Sequence, residues 1–125
     1  MKVREIMHTK YFYVDENETL NKTLQLMNEK GINGVPVVNE NLNLNGIVVK
    51  ADIYRFLVED GHYDTYPVKS VMSDKVISAN EDEEVEEVAR RLRENDIMAL
   101  PVVENKKVIG IIELEDIVDY FLGKN

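Results

Sequence analysis

A chain of 125 residues that is 44% apolar can bury one small globular core and leaves no room for a catalytic domain beside a regulatory one. A formal charge of −9, with the basic residues scattered, excludes a surface built for phosphate backbones or anionic bilayers. The absence of cysteine excludes disulfides and thiolate chemistry, and no apolar run is long enough for a membrane span or a signal peptide, so a cytoplasmic protein is expected.

In chain order, residues 1–59 predict a short helix at VREIM from Val3, a short strand, and a helix with the apolar stripe Leu20, Thr23, Leu24 and Met27 that stops at Gly31. A buried strand at VPVV, a polar hairpin loop, a strand at IVV and a terminal helix with Asp52 near its start follow. DGHYDTYP, residues 60–67, reads as a linker. Residues 68–125 then repeat the series. VKSVM returns from Val68, and the next stripe is Val85, Val88, Ala89 and Leu92, with acidic residues in the first turn and arginines later, as the helix dipole favours. LPVV, GIIE and a helix carrying Asp116 complete the copy.

The two copies are offset by 65 positions from Val3 to Val68 and from Pro36 to Pro101, then by 64 from Gly46 to Gly110 and from Asp52 to Asp116. The lost residue belongs to the polar hairpin loop, where a fold tolerates length change. Each proline is expected at a strand start or an edge, because it has no N–H for a ladder. Halves this small bury too little to stand alone, so they should pack on each other about a pseudo-twofold axis that relates two clefts.

Catalytic chemistry is scarce. His8 and His62 have no partner at helical spacing for zinc, no phosphate-cradling glycine loop is present, and NEDEEVEEV lacks the glycine and Asp-x-Asp spacing of a calcium loop. Neither an enzyme nor a metal protein is expected. What remains is the repeated phrase Gly-apolar-apolar-x-x-x-Asp, whose Asp52 and Asp116 either cap their helices or serve a site.

The doubled order V-x-x-[IV]-M, [GA]-[VL]-P-V-V and G-I-[VI]-x-x-x-D, running from Val3 to Leu122, resembles a tandem pair of cystathionine-β-synthase (CBS) domains, a Bateman module. The resemblance implies an α/β (α+β) fold of two βαββα repeats packed through their sheets, repeat 1 at 1–59 and repeat 2 at 68–125. It also implies a regulatory module that binds AMP, ADP, ATP or S-adenosylmethionine and acts by conformational change on a partner or through a homodimer. The alternative in the same fold is a ligand-free dimerisation scaffold with Phe12 and Met98 filling its clefts. Carried over by position, one cleft would combine Asp116, Ile111 and Glu113 with Phe12, Ile32, Asn33 and Gly34. Its twin would combine Asp52, Ile47 and Val49 with Ile77, Ile97, Met98 and Ala99. The family commonly places Thr or Ser where Val49 and Glu113 stand, so polyphosphate is expected to avoid Glu113. Lys50, Arg55, His8 and Lys10 are the phosphate-contact candidates near Asp52. Neither a catalytic cofactor nor a nucleic-acid partner is expected.

Overall fold

The computed structural model describes residues 1–124. Its strands and helices are β1 (Val14–Asp15), α1 (Leu20–Lys30), β2 (Gly34–Val38), β3 (Leu44–Val49), α2 (Lys50–Leu57), β4 (Ala79–Asn80), α3 (Val85–Glu94), β5 (Ala99–Glu104), β6 (Lys107–Glu113) and α4 (Leu114–Phe121). Short 3-10 turns at Val3–Glu5 and Val68–Ser70 precede each series. The strands form two three-stranded sheets, β1-β2-β3 and β4-β5-β6, each with one parallel and one antiparallel pairing. The element order read from the repeats is the one observed.

The compact units do not follow the repeat boundaries. One consists of Phe12–Val76, and the other of Met1–Tyr11 together with the chain from Ile77 onward. We call them the Asp52 unit and the Asp116 unit. Val3, from the first repeat, is fully buried among Ala79, Val85, Val88, Leu92, Leu100 and Ile112. Val68, from the second, is buried among Val14, Leu20, Met27, Val35 and Ile53. Each repeat thus lends its leading arm to the other repeat's core.

The backbone shows why the arms are held. A helix begins with amides that have no intrahelical acceptor. The first of α1, on Leu20, donates to the Tyr66 carbonyl at 2.9 Å, and the first of α3, on Val85, donates to the Met1 carbonyl at 2.9 Å. The linker, residues 60–67, is therefore itself bonded: Asp64 also accepts from Asn21, and His62 stacks on Phe56 with ring centroids 3.8 Å apart.

Both predicted stripes face their cores, with Leu20, Thr23, Met27, Val85, Val88 and Leu92 fully buried. Thr19 caps α1 by accepting from the Lys22 N–H, and Gly31 ends the helix at φ 65°. The matched position after α3 is Asp96 at φ 52°, one of the few residue types besides glycine that visit this region readily. The hairpin indel is also where expected. Five residues, 39–43, separate Val38 from its partner Leu44, whereas four, 104–107, separate Val103 from Val108.

The prolines require a correction. Pro36 and Pro101 lie inside the middle strand of each sheet, neither at a strand start nor on an edge strand. Their partners Ile47 and Ile111 turn both backbone groups away, to Ser73 and His8, so the antiparallel ladder asks nothing of the proline nitrogen. The parallel neighbours begin pairing only one residue later, at Val37 and Val102.

Ahead of α3, Glu83 accepts from both Arg91 nitrogens at 2.6 and 3.0 Å and from the Asn80 N–H at 2.8 Å. The Arg91 hydrogen bonds hold its carboxyl below the ordinary value of 4.5, against the opposing effect of burial. A carboxyl whose folded value is depressed contributes stability above its unfolded value and loses it as pH falls through the folded one. Glu83→Gln is accordingly expected to lower the urea midpoint at neutral pH and to leave a smaller difference from wild type in strong acid.

Candidate functional site

In each unit the end of one strand, the start of another and the first turn of a helix converge. In the Asp52 unit, Gly34 pairs with Val49, and the Lys50 N–H, first in α2, donates to the Asn33 carbonyl at 2.7 Å. In the Asp116 unit, Ala99 pairs with Glu113, and the Leu114 N–H donates to the Met98 carbonyl at 2.8 Å. The aspartate comes two residues later on the helix, in a first turn whose free amides and dipole favour a carboxylate.

The glycine of the repeated phrase has a structural cause. A Cβ on Gly46 would lie 2.7 Å from the Ser73 carbonyl oxygen and 2.7 Å from Met72 Sδ. On Gly110 it would lie 2.8 Å from the His8 carbonyl oxygen and 2.9 Å from Met7 Sδ. The arm passes directly over the glycine and bonds the next residue in both directions, Ser73 to Ile47 at 2.8 and 2.9 Å and His8 to Ile111 at 2.8 and 2.9 Å. Only a residue without a side chain lets the arm approach that closely.

The two aspartates differ in company. Asp52 is 40% exposed and forms an ion pair with Arg55, one turn along α2. Asp116 is only 16% exposed and has both oxygens engaged: Oδ2 accepts from the Glu113 N–H at 2.9 Å, and Oδ1 lies 2.7 Å from His8 Nε2. Asp116 thus closes its own helix, as the capping alternative expected, while its second oxygen faces the arm.

The other expected residues fall as follows. Ile47 and Ile111 are half-buried and tied to the arms, and Ile32, Ile77 and Ile97 pack partly buried against their own unit's core. Met98 is 72% exposed and Phe12 44%, the latter with the Lys30 ammonium 5.4 Å from its ring centre. Of the phosphate candidates, Arg55 is at Asp52, whereas Lys50 turns its ammonium to Asn28 at 2.7 Å. His8 makes its bond to Asp116, and Lys10 is exposed on the same arm, both within the Asp116 unit.

Summed over the matched positions, the two helix starts carry charge of opposite sign. Val49, Lys50, Ala51, Asp52 and Arg55 are matched by Glu113, Leu114, Glu115, Asp116 and Asp119. Ser73, in the place of His8, completes the comparison. Sequence reasoning missed the grouping of His8, Glu113 and Asp116, because it looked for partners at helical spacing and these come from segments 108 positions apart.

Two sheet-and-helix units built from tandem repeats, each with an aspartate in the first turn of its closing helix, define a tandem-repeat α/β class. The CBS domain model matches residues 3–59 and 68–123, and the chain belongs to the CBS domain family. A homoserine O-acetyltransferase of Methanococcus vannielii is 34% identical over 116 residues, 92% of this chain but 24% of that enzyme. The chain therefore spans about a quarter of that relative, and the enzyme name covers far more than the matched part. Among solved structures, the CBS domain pair of protein MJ0100 in complex with 5′-methylthioadenosine and S-adenosyl-L-methionine is 29% identical, with a TM-score of 0.84 over 100% of this chain and 98% of that one. CBSX2 in complex with AMP is 25% identical, with a TM-score of 0.87 over 98% and 96%. Among the described residues no helix is long and apolar enough to cross a membrane.

Proposed function

We propose that this chain is a regulatory module that binds an adenosine-type ligand through the helix-start aspartates and signals by a change of conformation. The observation that carries the proposal is the placement of Asp52 and Asp116 in the first turn of α2 and α4, beside a strand start with an exposed apolar residue in the case of Met98. An ionised carboxylate there can accept both hydroxyls of a ribose, in charge-assisted bonds each worth about 1.5–3 kcal/mol. The similar CBS pairs that hold AMP or S-adenosyl-L-methionine support this choice of ligand.

The charge difference favours a different ligand at each aspartate. Asp52, with Arg55 beside it and no other carboxylate in its first turn, suits a phosphate-bearing nucleotide such as AMP. Asp116, with Glu113 beside it and Glu115 and Asp119 within three residues in the chain, suits a neutral or cationic adenosine such as S-adenosylmethionine. Calorimetric titration with AMP, ATP, NADH and S-adenosylmethionine tests this. AMP binding is expected to vanish in Asp52→Ala, and S-adenosylmethionine binding in Asp116→Ala. No heat and no thermal shift with any of the four would sink the proposal, since a ligand at a hundred times its Kd should add about 2.7 kcal/mol.

The engagement of both Asp116 oxygens favours a second reading for that unit alone, a helix end closed on itself in a dimerising scaffold. Val118, Phe121 and Leu122, exposed at the end of α4, supply an apolar face for self-association, which sedimentation with and without AMP would register.

A further inference from the structure

The adenosine proposal gives His8 no task and uses Glu113 only as background charge, yet both stand beside Asp116. One ligand atom from each of His8, Glu113 and Asp116 lies within 4.8 Å of the others. We propose that these three side chains form a binding site for a divalent first-row transition ion, with Zn²⁺ as the probe. The proposal does not rest on the adenosine reading.

The donor set has the right chemistry. An imidazole nitrogen with two carboxylates suits a borderline ion, and three protein ligands leave positions for water or an exogenous group. The donors are also held in place. His8 is fixed to β6 by its paired backbone bonds with Ile111, over the space that Gly110 leaves. Glu113 ends β6, and Asp116 lies three residues on, in the first turn of α4. The Glu113 N–H holds Asp116 Oδ2 and so aims Oδ1 at His8, an outer bond of the kind that orients metal ligands. Without metal, His8 Nε2 and Asp116 Oδ1 meet each other directly at 2.7 Å. Glu115 and Asp119 add negative charge, and α4 has no basic residue in its last turn.

The other repeat is an internal control. At the matched positions it carries Ser73, Val49 and Asp52, with Arg55 paired to the aspartate. That set offers a first-row transition ion no imidazole and one carboxylate, which is already paired with a guanidinium. Because the same fold accepts those residues at matched sites, His8→Ser and Glu113→Val are variants expected to fold.

The experiment is calorimetric titration of the whole chain with zinc chloride, without nucleotide, and with circular dichroism to verify folding. Wild type is expected to bind one equivalent. His8→Ser and Glu113→Val should each weaken binding by about 100-fold or more, beyond what loss of an outer partner costs. His62→Gln and Asp52→Ala should leave it unchanged. No binding by wild type, equal binding by all variants, or loss confined to His62→Gln would overturn the site. Failure of AMP or S-adenosylmethionine to bind would leave it standing.

Discussion

Val3→Asp is expected to cost about 4 kcal/mol or more and to strip amide protection mainly from residues 77–122, although Val3 belongs to the first repeat. The position is fully buried in an apolar cluster made otherwise of second-repeat residues, and a carboxylate there has no partner. Val68→Asp should mirror it, with the loss concentrated in residues 12–59, because Val68 is buried among first-repeat residues. Hydrogen exchange followed by mass spectrometry reads both. Loss concentrated within the mutated repeat itself would refute the exchange of arms. The same exchange explains why the segment between the repeats is ordered: its carbonyls are the acceptors α1 needs.

Gly46→Ala and Gly110→Ala should each destabilise by about 2 kcal/mol, the usual cost of forcing a methyl into a filled space. The obstruction includes a carbonyl oxygen pinned by paired backbone bonds, 2.7 Å from the methyl added at Gly46 and 2.8 Å from that added at Gly110, and such an oxygen cannot swing aside as a long side chain can. Gly34→Ala is the comparison. Its new methyl would stand 3.3 Å from a Val49 methyl and 3.4 Å from the Val48 carbonyl oxygen, so a smaller loss is expected. Urea midpoints that fall equally for all three would show that the arm does not set the glycine requirement.

The repeated glycine and aspartate could be found by sliding the chain along itself, and so could the stripes of α1 and α3, because spacing along one helix or strand is local. Gly46 and Gly110 nevertheless had no visible reason until the arms were placed over them. The prolines were misread for a related cause. A ladder's demand on a given nitrogen depends on which way the partner strand's groups point and on where the third strand begins. The charge contrast between the aspartate sites was legible from Val49 and Glu113 alone. The bond from His8 to Asp116, and with it the three-ligand cluster, was not.

By itself, the order of residues determined two copies of one helix-and-strand series, their offset at the hairpin, the faces that become core, and a paired aspartate at matched helix starts. These follow from periodicity and turn chemistry, which act over a few neighbouring residues. Only the tertiary structure decided that each leading arm completes the other copy's core, that a carbonyl on that arm makes the glycine obligatory, and that His8 meets Glu113 and Asp116. Such contacts join segments far apart in the chain, where burial and backbone pairing select the partner and no local pattern records the choice.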